Sequence, residues 1–179
     1  MRITISGYPG AGKTTVGKLL ADRLGYKFYS VGDLRGKMAM ERGMTIDELN
    51  KLGEKEFWTD DLADQWQKNI GQTEDNFVME GRLSFYFIPD SVKIFLTIDP
   101  TVAAERVFIN QRPDEKPVSS AVEMENLIEG RLEADRKRYQ EYYHLDPSAA
   151  ENFDLVIDTT NKSIDEVVTE IQSRLKARS

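Results

Sequence analysis

The segment from Gly7 to Thr14, Gly-Tyr-Pro-Gly-Ala-Gly-Lys-Thr, constrains the fold and chemistry of this chain more than any other. It fits the pattern G-x-x-x-x-G-K-[ST] of a phosphate-binding loop. Its glycines permit the tight backbone turn that aims successive N–H groups at one anion. The Lys13 ammonium would reach the β- and γ-phosphates, and the Thr14 hydroxyl would ligate Mg²⁺. The segment therefore predicts a site for a nucleoside triphosphate.

The residues on either side of this loop support the same interpretation. Residues 2–6 alternate as a β-strand does, and apolar residues recur at helical spacing over residues 16–24, until Gly25. A strand, a glycine-rich loop and a helix in this order place the positive end of the helix at the loop. The alternative is a glycine-rich turn that binds nothing, and the two flanks argue against it.

The composition limits the partners of the chain. It has 179 residues, a formal net charge of −7 and no cysteine. The acidic balance argues against broad binding to nucleic acids or anionic membranes, and the lack of cysteine excludes disulfides and cysteine–zinc sites. No apolar run approaches the roughly 18 residues of a membrane span, and we expect no signal peptide. We expect one monomeric, cytoplasmic domain that binds small molecules.

Short apolar strands alternate with helices along the chain. We predict strands at residues 2–6, 26–30, 77–79, 92–98 and 155–157. We predict helices at residues 16–24, 34–42, 46–70, 101–110, 120–143 and from 163 to about 175. Three helices would open with capping boxes, formed by Thr45 and Glu48, Ser120 and Glu123, and Ser163 and Glu166. The alternation specifies an α/β fold with a parallel sheet covered on both faces.

Ligands of such sheets gather at the carboxyl ends of the strands. The residues that we place at these ends are Gly7, Gly32, Glu80 and Asp99. Glu80 stands where P-loop proteins keep an acid near Mg²⁺, directly or through water. The guanidinium of Arg82 suits a second phosphate, because its fork of donors matches two oxygens at once. The alternatives are a solvated glutamate and a surface ion pair, and we favour the binding roles.

Four arginines flank or lie within a segment that contains two prolines: Arg106, Arg112, Arg131 and Arg138. Phosphoryl transfer requires positive charge on the moving group, and mobile arginines in a lid supply it. On spacing alone the alternative stays open, because Arg131 and Arg138 belong to a helix rich in Glu and Lys. Such runs of charge are typical of a solvated face.

Three polar residues share one face of the predicted helix at residues 46–70: Asp60, Asp64 and Gln67. The roughly opposite face carries Leu62, Trp66 and Ile70. Two interpretations are open. The polar face either contacts the base of an acceptor nucleotide or lies in solvent above a packed apolar face.

With these residues in view, the chain resembles the nucleoside-monophosphate kinases and, more closely, the archaeal-type cytidylate kinases, over essentially its whole length. The phosphate-binding loop is shared by many families. The more specific motifs are Ser30-x-Gly32-Asp33, Asp60-x-x-x-Asp64-x-x-Gln67, Glu80-Gly81-Arg82-Leu83, the spacing from Arg131 to Arg138-Tyr139, Tyr142-Tyr143-x-x-Asp146, and residues 154–159.

The resemblance implies a P-loop kinase fold, in which helices flank a five-stranded parallel sheet of order 2-3-1-4-5. It implies a core of residues 1–31, 75–110 and 139–179, an acceptor-binding lobe at residues 32–74 and a lid at residues 111–138. It also implies transfer of a phosphoryl group from ATP, with Mg²⁺, to CMP or dCMP.

The resemblance further implies roles for individual residues. The donor phosphates would be held by Gly7, Gly10, Ala11, Gly12, Lys13, Thr14 and Thr15. Arg106 would lie against the donor adenine, and Mg²⁺ would be held by Thr14 and, through water, by Glu80. The residues that act on the transferring group would be Lys13, Arg82, Arg131 and Arg138. The acceptor would be bound by Ser30, Gly32, Asp33, Arg35, Asp60, Asp64, Gln67, Gly81 and Arg82.

Three departures from the family pattern lie around the acceptor. Gly36 occupies a position where the family usually has an arginine, with Arg35 just before it, and Trp66 occupies another such position. Residues 85–87, Phe-Tyr-Phe, are more aromatic than expected. Whether Arg35 replaces the missing arginine stays open, as do the acceptor base and the choice between CMP and dCMP.

Two other functions stay open. The first is a kinase for another acceptor, such as AMP, UMP or a non-nucleotide metabolite, which the departures around the acceptor would favour. The second is a nucleotide-binding regulatory module. The chain has no clear guanine-recognising N-K-x-D motif, and a lid that carries arginines suits transfer better than switching, so we favour a kinase.

Overall fold

The computed structural model describes residues 1–53, 55–56, 58–111 and 118–177. Its centre is a sheet of five parallel strands in the order β2-β3-β1-β4-β5. The strands are β1 (Arg2–Gly7), β2 (Lys27–Ser30), β3 (Phe77–Glu80), β4 (Val92–Thr97) and β5 (Leu155–Asp158). The predicted strands and their order are confirmed, each with one end shifted by a single residue.

The helices of the described residues are α1 (Lys13–Leu24), α2 (Val31–Met40), α3 (Ile46–Gly53), α4 (Trp58–Thr73), α5 (Ser84–Phe87), α6 (Pro100–Ile109), α7 (Ala121–Tyr143) and α8 (Ile164–Lys176). A 3₁₀ turn follows α7 at Ala150–Asn152. None of these helices, within the described part of the chain, has the length and apolar character that crossing a membrane requires.

Strand β1 lies at the centre of the sheet, where both faces must be covered. Ile3 and Ile5 have no exposed surface. The register places Ile5 opposite Glu80 of β3, and Gly7 opposite Leu96 of β4. The phosphate-binding loop and Glu80 therefore leave the same edge of the sheet side by side, as parallel topology requires.

Apolar clusters on both faces hold helices against the sheet. Val78 belongs to the cluster that packs α1 and α8 on β1 and β4. Phe77 and Met79, on either side of it in β3, belong to a second cluster with Ile70 of α4. Because neighbouring strand residues point to opposite faces, the two clusters lie on opposite sides of the sheet. The predicted two-sided α/β architecture is confirmed.

The predicted helix at residues 46–70 is two helices, α3 and α4, so that part of the prediction is wrong. Helix α3 ends at Gly53, next to the start of α4. A Cβ at Gly53 would lie 2.6 Å from the Thr59 hydroxyl oxygen and 3.5 Å from a carboxylate oxygen of Asp60. The lack of a side chain at this position lets the two helix ends approach so closely.

Helix α2 begins at Val31, three residues before the predicted start at residue 34. The Ser30 hydroxyl accepts a hydrogen bond from the Asp33 amide at 3.0 Å and so caps the helix. Gly32, which we placed at the end of the second strand, and Asp33 lie in the first helical turn.

Two of the three predicted capping boxes are confirmed in full. Both reciprocal hydrogen bonds are present between Thr45 and Glu48 and between Ser163 and Glu166. At the start of α7, Ser120 accepts from the Glu123 amide at 3.1 Å, but the Glu123 carboxylate accepts from the amide of Ser119. The third box is therefore only half formed.

Candidate active site

The phosphate-binding loop leads from β1 into α1, and the start of α1 has no capping side chain. Gly12, which has no side-chain acceptor, holds the cap position with a φ of 82°, and the first turn contains no acid. By contrast, α2, α6, α7 and α8 each begin with a serine or aspartate whose oxygen accepts from a first-turn amide. Helix α1 therefore presents its positive end to the loop, as an anion site requires.

Two glycines of the loop are required by the backbones that pass close to it. A Cβ at Gly7 would collide with the backbone carbonyl of Leu96, and one at Gly10 would lie 2.8 Å from the carbonyl oxygen of Ala103. Gly10 also has a φ of 78°, in the left-handed region that favours glycine. Strand β4 and helix α6 thus set the shape of the loop.

Lys13 and Ala11 both contact the carbonyl group of Tyr8, inside the same loop. The Lys13 ammonium donates to this oxygen at 2.9 Å, and the Ala11 amide donates to it at 3.3 Å. The Tyr8 ring meets Phe95 of β4 edge-on, with 5.2 Å between ring centroids. The lysine therefore lies across the mouth of the loop, on a chain segment that β4 supports.

Glu80 is buried, with 5% of its surface exposed, and hydroxyl groups from two other segments donate to its Oε1. The Ser30 hydroxyl does so at 2.5 Å and the Thr14 hydroxyl at 3.2 Å. The neighbouring Gly81 carbonyl accepts from Ser6 of β1 at 2.8 Å. The alternative of a solvated glutamate is wrong, and Glu80 joins the loop to the end of β2.

The oxygens of Thr14 and Glu80 fit a magnesium site. A hydroxyl and a carboxylate are hard ligands of the kind that Mg²⁺ prefers, and this ion usually completes its shell with substrate phosphates and water. Residues of the described ranges contain no group of three or more His, Cys, Asp or Glu that could hold a metal. The donor set therefore suits an ion held jointly by protein, nucleotide and water.

A chain of alternating charges runs from α2 across α4 to α7. Arg35 donates to Asp60 Oδ1 at 2.8 Å, and Asp60 Oδ2 lies 3.5 Å from Arg138 Nε. Arg138 donates to Asp135 Oδ1 at 2.9 Å, and Asp135 Oδ2 lies 2.6 Å from Arg82 Nη1. Two arginines that we predicted to bind phosphate, Arg82 and Arg138, therefore lie on either side of one carboxylate.

Burial distinguishes these two arginines. Only 7% of the Arg138 side chain is exposed, so the alternative of a solvated arginine is wrong at this position. Arg82 is 33% exposed and does form an ion pair, with a carboxylate that is itself 13% exposed. Arg82 is the end of the charge chain that solvent and small anions can reach.

The polar face of α4 is buried, so the alternative of a solvent face is wrong. Asp60, Asp64 and Gln67 expose between 3% and 6% of their surface. On the other side of the helix Ile70 is buried as expected, whereas Leu62 is 48% exposed. The polar face thus looks into the protein, where each of its groups needs a partner.

Asp64 has a phenol as its partner. Its Oδ2 accepts a hydrogen bond from the Tyr143 hydroxyl. Burial raises the pKa of Asp64 to about 6, the bond from Tyr143 partly offsets that rise, and the charge of Asp60 adds to it. Burial and the same hydrogen bond raise the pKa of Tyr143. At neutral pH the pair is therefore a carboxylate that accepts from a neutral phenol.

Gln67 has its amide orientation set by a serine. The Ser84 hydroxyl donates to Gln67 Oε1 at 2.7 Å, and both residues are buried. Since the amide oxygen faces Ser84, the two N–H donors of Gln67 point to the other side.

The remaining predicted arginines lie on α6 and α7. Arg106 donates from Nη2 to the carbonyl groups of Thr159 and Thr160, just after β5, at 3.2 and 2.9 Å. Arg131 is half-buried on α7, one turn before Asp135. Arg112 lies outside the described residues.

Sequence reasoning missed several partners of the predicted residues: Asn50, Ser84, Asp135 and Tyr143. A signal existed for Asp135, which follows Arg131 by four residues and precedes Arg138 by three on one helix. No local signal indicated the pairings of Ser84 and Tyr143. Ser84 lies 17 residues from Gln67, and Tyr143, although it belongs to a family motif, lies 79 residues from Asp64.

Comparison with known proteins agrees with this architecture. An S-adenosylmethionine-dependent nucleotide dehydratase of Lacinutrix mariniflava is 32% identical over 93% of this chain, which corresponds to 34% of that protein. A shikimate kinase structure from Bacteroides thetaiotaomicron, 20% identical, shares the fold with a TM-score of 0.67 over 98% of both chains. A cytidylate kinase of Archaeoglobus fulgidus is 36% identical over 94% of this chain and 91% of its own length. The sequence profile of the Cytidylate kinase-like family matches residues 2–161, and the chain therefore belongs to that family.

Proposed function

We propose that this chain transfers the γ-phosphoryl group of ATP to CMP or dCMP. Its family supports a phosphotransferase of the nucleoside-monophosphate kinase type. The observation that carries the choice of base is the buried pair Asp64 and Gln67. Tyr143 and Ser84 set the directions in which these two side chains accept and donate hydrogen bonds.

Cytosine is complementary to this pair. It presents an amino donor at position 4 beside acceptors at N3 and O2. The Asp64 carboxylate can accept from the amino group, and the Gln67 amide can donate to N3 or O2. Uracil presents a carbonyl oxygen at position 4 and a donor at N3, so a buried carboxylate would face a carbonyl. Such a mismatch leaves buried polar groups unpaired and is strongly unfavourable.

The transfer itself is an in-line displacement. An oxygen of the acceptor phosphate attacks the γ-phosphorus, the bond to the oxygen that bridges the β- and γ-phosphates breaks, and ADP leaves. Arg106 lies against the donor adenine, while Lys13 binds the donor phosphates. The charge of the moving group is shared by Arg82, Arg131 and Arg138, which is the main task of a protein in this reaction.

Thr14 and, through water, Glu80 would hold Mg²⁺, which supplies positive charge at the donor phosphates. Ser30 donates to Glu80 and so keeps the carboxylate at the loop. The same hydroxyl caps α2, so the position of the acid and the start of the acceptor-binding lobe depend on one side chain.

A kinase for another acceptor is the second candidate, and the position of Arg35 favours it. Gly36 stands where the family usually has an arginine, and the neighbouring Arg35 is engaged by Asp60 and by the Asn50 side chain at 3.0 Å. We infer from these contacts that Arg35 does not replace the arginine that is missing at Gly36. A fold shared with a shikimate kinase adds shikimate to the acceptors worth testing.

An acceptor screen tests the proposal. ADP release from Mg-ATP is measured in a coupled assay with CMP, dCMP, UMP, AMP and shikimate. We expect kcat/KM for CMP or dCMP to exceed that for UMP at least about tenfold, because a site built to pair with an amino group rejects a carbonyl. AMP is the sharpest comparison, since adenine also presents an amino group beside a ring acceptor. No stimulation by CMP or dCMP would contradict the proposal.

A further inference from the structure

Asp60 and Asp64 lie four residues apart on one face of α4, yet their partners differ. Asp60 Oδ1 accepts from Arg35 Nη1 at 2.8 Å, and its Oδ2 lies 3.5 Å from Arg138 Nε. Asp64 accepts from the neutral Tyr143 hydroxyl. Both carboxylates are buried, with 5% and 6% exposed. Asp60 is therefore paired with two arginines, whereas Asp64 forms no ion pair within the described residues.

Arg138 depends on Asp60 as a counter-ion. Its Nη2 donates to Asp135 at 2.9 Å and to the Tyr139 hydroxyl at 3.1 Å, and its Nη1 donates to the Asn50 carbonyl at 3.4 Å. Its Nε is buried, makes no hydrogen bond and lies opposite Asp60 Oδ2, which makes none either. Asp135 also pairs with Arg82 at 2.6 Å, so it is shared by two guanidinium groups. The facing Asp60 carboxylate therefore supplies the second negative charge beside the buried Arg138, where unbalanced charge is strongly unfavourable.

Arg35 holds Asp60 from the other side. Its Nη1 also donates to the Thr59 carbonyl at 3.0 Å, and its Nη2 donates to Asn50 Oδ1 at 3.0 Å. Arg35, Asp60 and Arg138 thereby tie together α2, α4 and the end of α7. Helices α2 and α4 belong to the predicted acceptor-binding lobe, and α7 runs from the predicted lid into the predicted core.

We propose that Asp60 is a positioning residue, which with Arg35 holds Arg138 beside Arg82 for phosphoryl transfer, whereas recognition of the acceptor base belongs to Asp64. The inference rests on the proposed function and deepens it. A displaced arginine lowers the rate of transfer, since charge must be in place where it develops in the transition state. The preference for one base, which another carboxylate determines, is left intact.

Three isosteric substitutions on one helix test this division. The variants Asp60→Asn, Asp64→Asn and Asp61→Asn each remove one negative charge, and kcat and KM are measured for CMP and UMP at saturating Mg-ATP. We expect Asp60→Asn to lower kcat by about 10- to 100-fold. Its ratio of kcat/KM for CMP over UMP should stay within about twofold, whereas Asp64→Asn should lower that ratio at least about tenfold.

Asp61→Asn is the matched control. The Asp61 carboxylate accepts from Gln65 at 3.3 Å in an exposed pair one residue away from Asp60. We expect this variant to change neither kcat nor the ratio. An unchanged kcat in Asp60→Asn would overturn the proposal, and so would a loss of base preference as large as that of Asp64→Asn.

A second measurement does not depend on the acceptor. The NMR signal of the Arg138 Nε–H group is recorded for the full chain without substrate. We expect it to shift and broaden in Asp60→Asn and in Arg35→Gln, and to stay in place in Asp61→Asn. If Asp60→Asn does not fold, the kinetic and the NMR measurements are made on Arg35→Gln instead, because this variant removes the partner that holds Asp60.

The two proposals fail in different ways. An Arg138 signal that is unaffected by these variants would overturn the positioning role, even if the chain phosphorylates CMP. A shifted signal together with no transfer to CMP would sustain the positioning role and overturn the proposed acceptor alone.

Discussion

Three acidic residues near the site are buried, and each receives a different kind of donor. Glu80 receives two hydroxyl groups, Asp60 receives a guanidinium, and Asp64 receives a phenol. A guanidinium neutralises the carboxylate that it contacts, whereas a phenol leaves the charge in place. The kind of partner therefore distinguishes Asp60, which holds an arginine, from Asp64, which can still accept a hydrogen bond from a ligand.

Asp64 should make the stability of the protein depend on pH. Its pKa rises from an ordinary 3.8 to about 6 on folding, so the folded chain binds more protons between these values and the free energy of unfolding falls as pH rises through them. As the pH rises from 4 to 7, the free energy of unfolding of the protein should fall by up to roughly 3 kcal/mol relative to that of Asp64→Asn. Urea denaturation of both proteins across this range measures the difference. Parallel curves would contradict the buried, ionisable environment of Asp64.

At the scale of elements, glycine positions determine where helices stop and where they continue. Gly53 ends α3 because the start of α4 passes within van der Waals reach, whereas Gly130 lies in the middle of α7 with nothing within 4 Å of an added Cβ. The predicted helix at residues 46–70 was wrong at this point, since the periodicity of residues 46–70 continues through Gly53 and only a tertiary contact marks the break. The 23-residue α7 was predicted to within one residue from its capping residues.

Two alanine substitutions should have opposite effects on stability. Gly130→Ala should raise the free energy of unfolding by about 0.5–1 kcal/mol, because alanine is the better helix former in an exposed helix. Gly53→Ala should lower it by about 1–3 kcal/mol, because the new methyl group meets the buried Thr59 side chain. Thermal and urea denaturation of the two variants measure both effects. A Gly53→Ala protein as stable as the original would contradict the close junction of α3 and α4.

At the scale of the whole molecule, parallel topology explains which parts of the site could be predicted. The loop follows β1, Glu80 is the last residue of β3 and Arg82 follows it, and the carboxyl ends of parallel strands lie at one edge of the sheet. Their neighbourhood was therefore predictable from motifs and strand order. The partners of Asp60 and Asp64 were not, because Arg138 and Tyr143 come from a helix that lies about half the chain away in sequence. They meet through side-chain contacts between the end of α7 and α4, which only the tertiary fold brings about.

The central claim is that the amides at the start of α1 and the Lys13 ammonium bind the ATP phosphates while arginines act on the transferring group. The most direct test follows the phosphorus resonances of a mixture of Mg-ATP and CMP by ³¹P NMR, with the protein and with Lys13→Ala. We predict that ADP and CDP form in equal amounts with the protein. With Lys13→Ala, whose melting temperature should change little because the Lys13 side chain is only half-buried, transfer should fall at least about 100-fold. A Lys13→Ala variant that forms CDP as fast as the original protein would contradict the account.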